Sequence, residues 1–197
     1  MEVVIIKYNA GNTKSVENAL LRLGIQAKIT DNIAEINSAD KVIFPGVGHA
    51  GTTMQFLKEN KLDAVIKNLK QPVLGICLGQ QLMCAHSEEG NVNGLDIFPV
   101  HVKKFESING EYKIPQMGWN SLSDIKSPLF KNINENSFVY FVHSYYCTLS
   151  PYTIATCNYI LPFSAALHKD NFYAVQFHPE KSADIGERII ENFIVNC

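Results

Sequence analysis

The sequence predicts an α/β fold, a single three-layer domain with a central, mostly parallel sheet. Helices cover both faces, and extra antiparallel strands join in the C-terminal half. Three observations carry that expectation. Short unbroken apolar runs, such as Val3 to Ile6 and Val73 to Ile76, have the character of strands covered on both faces. Helix-period stripes separate these runs in the first half, which is the βαβ rhythm of a parallel sheet. The second half changes to short strands punctuated by turn residues.

The chain has 197 residues, 46% hydrophobic and 18% charged, a folded composition that fits one domain spanning 1–197. A chain of this size buries roughly 70% of its unfolded surface and needs no disulfide or metal to hold it. Seventeen Lys and Arg face nineteen Asp and Glu, so no broad basic field favours nucleic acid. No apolar run approaches the ~20 residues of a membrane helix. The N-terminus lacks the basic and long apolar regions of a signal peptide. Five cysteines without a CxxC pair read as free thiols in a reducing cytosol, so a cytoplasmic location is expected.

Along the chain, Val3 to Ile6 is the first strand. Asn12 or Thr13 caps a helix with Val16, Ala19, Leu20 and Leu23 on one face, and Gly24 falls at its left-handed C-terminal cap. Ile25 to Ile29 and Val42 to Phe44 follow as strands, the latter ending in Pro45-Gly46-Val47-Gly48. One helix is expected over Thr52 to Leu69, broken by Gln71-Pro72. Val73 to Ile76 runs straight into Cys77, with a helix beginning near Leu78. The second half reads as strands over Val100 to Phe105, Glu111 to Pro115, Phe138 to Val142, Thr153 to Cys157, Ser164 to His168 and Phe172 to Phe177. Asn109-Gly110 and Asp170-Asn171 supply turns between them. A last helix starts at Ser182, with Ile185, Ile189 and Phe193 on one face.

The strongest chemical signal is Gly75-Ile76-Cys77-Leu78-Gly79, at the junction of a strand and a helix. Small residues on both sides of a nucleophile permit the sharp turn of a nucleophile elbow. The adjoining helix N-terminus favours a thiolate. A buried structural cysteine is the plainer alternative. Gln176-Phe177-His178-Pro179-Glu180 can supply a base and its orienting acid. Pro179 keeps His178 extended, and residues two apart in extended chain point the same way. The alternative there is a strand-end loop with solvated side chains. Tetrahedral acyl intermediates need an oxyanion hole. The Leu78 N–H is one donor candidate, and the PGVG glycines permit another, although an ordinary tight turn fits them too. The remaining histidines show no metal-ligand spacing, and no cofactor loop occurs.

Together these residues resemble the class I glutamine amidotransferases, whose pattern is a GxCxG elbow followed near the C-terminus by HPE. Further matches are Tyr8-Asn9-Ala10-Gly11-Asn12, PGVG at 45–48, Gln80-Gln81, Pro115-Gln116-Met117-Gly118-Trp119-Asn120, Tyr140 to Tyr145 and Lys181-Ser182. Lys7, His49 and Gln116 depart from the family, which more often shows Asp, a small residue and His there. The resemblance implies a Cys77, His178 and Glu180 triad that hydrolyses L-glutamine without a cofactor or metal. It places Val47, Gly48 and Leu78 at the reacting amide. It places Gln81 and Glu89 at the substrate ammonium, and the backbone of His143, Ser144 and Tyr145 at its carboxylate. It also implies a heterodimer with a (β/α)₈-barrel cyclase subunit that receives the ammonia, with Asn12, Trp119 and Lys181 at the interface. The flanking Gly118 and Asn120 suggest that Trp119 lies in a loop, and core packing of the Trp remains the alternative. Other acceptor synthases, a free-standing cysteine γ-glutamyl hydrolase and a non-catalytic binding subunit stay open on the sequence.

Overall fold

The computed structural model describes residues 1–9, 12–107 and 109–197; Ala10 and Gly11 of the Tyr8–Asn12 match lie outside the described residues. In chain order the first half contains β1 (Val3–Ile6), α1 (Thr13–Arg22), β2 (Ala27–Thr30), α2 (Ile33–Ser38), β3 (Lys41–Gly46), α3 (Ala50–Glu59), α4 (Leu62–Asn68), β4 (Val73–Cys77) and α5 (Leu78–Met83). The second half contains β5 (Cys84–Ser87), β6 (Val92–Asn93), β7 (Phe98–Lys104), β8 (Gln116–Ser121), β9 (Phe138–His143), β10 (Tyr145–Cys147), β11 (Thr153–Tyr159), β12 (Leu161–Lys169), β13 (Phe172–Val175) and α6 (Ala183–Asn196).

The central sheet has seven strands in the order β11-β12-β13-β4-β3-β1-β2. Strands β13, β4, β3, β1 and β2 are mutually parallel, and β12 and β11 add an antiparallel edge. Alternate residues of each central strand serve opposite faces, as the period of two requires. Val3, Ile5, Ile43, Leu74, Ile76 and Val175 join one core with residues of α1, α6 and β9. Val4, Ile6, Val42, Phe44, Val73 and Ala174 join the other with residues of α2 to α5 and β7. Because both faces are covered, these strands read as continuous apolar runs. A four-stranded sheet, β10-β7-β5-β6, and a β8-β9 hairpin-like pair complete the structure.

Several expectations are corrected. The helix expected over 52–69 is two helices, parted where Lys61 takes a left-handed backbone with φ 60°. Helix α2 was not expected, yet Asn32 Oδ1 caps it by accepting from the Ala34 and Glu35 N–H groups. Glu111 to Pro115 forms no strand. Its apolar alternation instead sets Tyr112 edge-on against Tyr159, 5.3 Å between centroids, without a ladder partner. Trp119 lies in β8 rather than a loop, paired with Tyr140 of β9. Strands β5, β6 and β10 were also missed, being short and only partly apolar.

Candidate active site

The C-terminal ends of β3, β4 and β13 lie side by side, and open parallel sheets bind ligands at that edge. Cys77 ends β4, opposite Gly46 in the β3 register. Its backbone has φ 54° and ψ −105°, the strained turn expected of an elbow. Three glycines make the turn possible. A Cβ on Gly79 would stand 2.0 Å from the Phe44 carbonyl oxygen. A Cβ on Gly46 would stand 2.0 Å from the Tyr8 hydroxyl, which donates to the Pro45 carbonyl. A Cβ on Gly75 would meet the Met83 sulfur at 2.9 Å.

His178 follows β13 and is buried, as is Glu180. Its Nδ1 lies 2.7 Å from Glu180 Oε1, so the i, i+2 relation read from the sequence is the one observed. The Asn12 side-chain amide donates to the same carboxylate oxygen. Asn12 occupies the N-cap position of α1 but makes no side-chain cap there, because its amide is committed to Glu180. The turn at 179–181 rests on α6 at Gly186, where a Cβ would stand 1.9 Å from the Pro179 carbonyl oxygen. On the other side of the imidazole, Nε2 is buried without a hydrogen-bond partner among the described residues. Burial opposes protonation of His178, but Cys77 on one side and Glu180 on the other outweigh it and hold its pKa at about 10.

That shift carries a sign. The folded pKa lies above the unfolded value of about 6.5. The charged ring therefore stabilises the fold fully below pH 6.5, and this contribution declines as pH rises through about 10. Thermal midpoints measured from pH 6.5 to 10.5 are expected to fall more steeply in the wild type than in His178→Gln. Parallel curves would contradict the ion pair.

Between these elements is a pocket of about 310 Å³ lined by Val47, Gly48, Cys77, Leu78, Gln81, Glu89, Pro115, Val142, His143, Ser144 and Tyr145. All eight residues expected at the substrate line it, together with the nucleophile candidate. Gly48 has φ 136°, a conformation that glycine adopts freely. Glu89 Oε2 accepts from the Ala50 N–H at the start of α3, 2.7 Å away, which leaves Oε1 free of that bond. His49 caps the same helix through Nδ1, accepting from the Gly51 N–H.

His143 Nδ1 lies 2.7 Å from the Tyr145 carbonyl and Nε2 lies 2.9 Å from Gln116 Oε1. Burial lowers its pKa to about 4, so the ring is neutral near pH 7. The carbonyl can only accept, so Nδ1 carries the ring proton. With the ring proton on Nδ1, Nε2 and Gln116 Oε1 are both acceptors as placed, and the contact becomes a hydrogen bond when the Gln116 amide is turned end for end.

Sequence reasoning missed Gln176 as an individual residue. It is fully buried beside Cys77, and its only signal was its place in the QFHPE run. Trp119 is 53% exposed, so core packing is excluded for it. Its ring lies edge-on to Tyr140 at 6.1 Å, and Lys181 Nζ sits over the Tyr140 ring. No helix among the described residues is long and apolar enough to cross a membrane.

The fold and a cysteine elbow beside a His–Glu pair fit an amidotransferase, and the sequence comparison supplies the family. The model of the glutamine amidotransferase class-I family matches residues 4–197, and the chain belongs to that family. Its relatives include imidazole glycerol phosphate synthase subunit HisH from Bacteroides fragilis strain YCH46. That protein is 61% identical over 194 residues, covering 98% of this chain and 99% of the relative. The subunit of the same name from Pasteurella multocida strain Pm70 is 46% identical, with 98% of each chain covered. Solved structures with the same fold include a glutamine amidotransferase from Thermotoga maritima, at TM-score 0.65 and 18% identity, covering 98% of this chain and 82% of that one. PurLQS from Thermotoga maritima gives TM-score 0.71 at 12% identity, covering 98% and 97%.

Proposed function

We propose that this chain is the glutaminase subunit of an imidazole glycerol phosphate synthase in histidine biosynthesis, acting in the cytoplasm. The span 1–197 would work as one amidotransferase domain. The observation that carries the reading is the strained Cys77 in the pocket lining, beside the buried His178–Glu180 pair. The 61% identity to a HisH subunit supports the choice of pathway.

In this mechanism the Cys77 thiolate attacks the γ-amide carbon of L-glutamine. The tetrahedral oxyanion is received by the Leu78 N–H and by the Val47–Gly48 backbone. His178 Nε2 gives its proton to the departing ammonia, leaving a γ-glutamyl thioester. The same nitrogen then takes a proton from water, which attacks the thioester and frees L-glutamate. Glu180 holds the ring by Nδ1 and balances its positive charge. Gln81 and Glu89 take the substrate ammonium, and the backbone of His143, Ser144 and Tyr145 takes its carboxylate.

The ammonia passes to a (β/α)₈-barrel cyclase subunit, which makes imidazole glycerol phosphate and AICAR. That subunit docks over Trp119, Lys181 and the pocket mouth. The outer face of β8 and β9 supports this placement, with Met117 66%, Trp119 53% and Phe138 57% exposed. Asn12 completes the proposed interface at the start of α1, its side-chain amide remaining on Glu180 within this chain. Trp119→Ala is expected to weaken binding to the barrel subunit at least tenfold, as a central aromatic anchor does. Its melting temperature should change little, since the side chain is half exposed. Titration calorimetry of the two subunits checks this, and unchanged affinity would remove Trp119 from the interface.

Glutamate release tests the function. Release is expected to be low for the chain alone and to rise with the barrel subunit and its phosphoribosyl substrate, because the Val47–Gly48 segment must turn an N–H inward. It should vanish in Cys77→Ala. Strong activity alone, unchanged by the barrel subunit, would point to another acceptor or to a free-standing hydrolase.

A further inference from the structure

Gln176 is buried and carries no role in the mechanism above, yet its amide bridges Cys77 and Gln81, two residues of the pocket wall. The orientation of that amide follows from a chain of hydrogen bonds that starts at a backbone carbonyl. Gln81 Nε2 donates to the Tyr145 carbonyl at 3.0 Å. A carbonyl only accepts, so the NH₂ end of Gln81 is fixed there. The second N–H of the same nitrogen points to Gln176 Oε1 at 2.9 Å. That contact fixes the oxygen end of Gln176 toward Gln81. Its NH₂ end is thereby turned to Cys77 Sγ, 3.8 Å away. Among the described residues no donor reaches Gln81 Oε1, and Gln81 lines the pocket.

We propose that Gln176 is a positioning residue that holds a donor N–H against Cys77 Sγ and links the nucleophile, through Gln81, to the place where the substrate ammonium binds. A thiol sulfur is a weak acceptor and a thiolate a strong one, so a fixed N–H favours the thiolate. The Val142 carbonyl, 4.0 Å from Sγ, acts the other way, since it accepts from the S–H and so favours the thiol. The other groups facing Cys77 are His178, backed by Glu180, and the neutral phenol of Tyr8. An ammonium on Gln81 Oε1 would polarise both amides in series and strengthen the last N–H, as hydrogen bonds in a chain reinforce one another. Substrate binding would then help to ready the sulfur for attack. The ammonium end of this relay rests on the glutaminase reading; the contact between Gln176 and Cys77 does not.

The test is the pH profile of Cys77 alkylation by iodoacetamide in the full chain, read on the Cys77 peptide by mass spectrometry. Cys197, which is partly exposed, is thereby scored apart. Gln176→Met keeps the shape and removes the donor. Its alkylation midpoint is expected to rise by about one pH unit, the size of one hydrogen bond to a charged group. Gln176→Glu places acceptors against the sulfur and should raise it further. Gln81→Met leaves Gln176 in place but unclamped, and should raise it by less. This variant also serves if the Gln176 variants do not fold. With the barrel subunit present, Gln176→Met should lower kcat for glutamine hydrolysis about tenfold and leave KM nearly unchanged.

Midpoints unmoved in a folded Gln176→Met, or in Gln81→Met where the former does not fold, would overturn the proposal. A lowered melting temperature with an unmoved midpoint would assign Gln176 a packing role only. A shifted midpoint in a protein that releases no glutamate with any synthase would uphold the Gln176–Cys77 contact while refuting the glutaminase reading.

Discussion

Glu180→Gln is expected to lower glutaminase turnover by about 10²- to 10⁴-fold while leaving the fold close to intact. The reason lies in what each carboxylate oxygen does. Oε1 takes both donors, His178 Nδ1 and the Asn12 amide, whereas Oε2 is buried with no partner among the described residues. A glutamine can present its oxygen to the same two donors, so geometry is kept and the negative charge is lost. Without that charge the ring loses one of the two influences that raise its pKa toward 10. The imidazolium that must protonate ammonia is then less populated. The pH dependence of kcat should shift to lower pH together with the loss in rate. Activity within a few-fold of wild type would show that Glu180 supports the ring by contact alone. Asn12→Ala removes the second donor and should give a smaller loss of the same kind, read in the same assay.

Gly79→Ala is expected to cost about 3 kcal/mol, the upper end for overpacking a filled core. For a chain of this length that lowers the melting temperature by roughly 6–12 °C. The added methyl would stand 2.0 Å from the carbonyl oxygen of Phe44, in the middle of β3. That neighbour is backbone, hydrogen-bonded into the sheet, and cannot rotate away. Helix α5 must move instead, and it carries the residue after Cys77 and the Gln81 amide with it. Glutamate release should therefore fall in step with stability. Gly75→Ala is the contrasting variant: its nearest atom is the thioether of Met83 at 2.9 Å, which can shift, and the backbone atoms of Gln80 and Gly79 stand at 3.1 Å, tight but far short of the 2.0 Å overlap at Gly79. It should cost less. Equal losses from the two alanines would contradict the claim that backbone contact, rather than glycine content, shapes the elbow.

Much of this site was legible because its residues come in local runs. Cys77 with Gly75 and Gly79 stated a turn, and His178 with Glu180 stated a side-by-side pair through Pro179. The parallel core was legible for the same reason, since strands covered on both faces are apolar at every position. What could not be read depends on distant partners. Asn12 has the local signature of a helix cap, yet its amide serves a carboxylate 168 positions away. Gln176 and Gln81 meet across 95 positions. Gly118 and Asn120 are turn-formers by propensity, but β8 is held extended by its ladder to β9, with Trp119 opposite Tyr140. Helix α2 was readable in principle, since Asn32 followed three residues later by Glu35 is an N-terminal capping pattern.

The central claim is covalent catalysis at Cys77. The most direct measurement is the mass of the chain after acid quenching during turnover of isotopically labelled L-glutamine, with the barrel subunit and its substrate present. The account predicts a labelled γ-glutamyl adduct on the Cys77 peptide, absent from Cys77→Ala and removed by hydroxylamine as a thioester is. Labelled glutamate formed at full rate by Cys77→Ala, or an adduct carried by another residue, would contradict it.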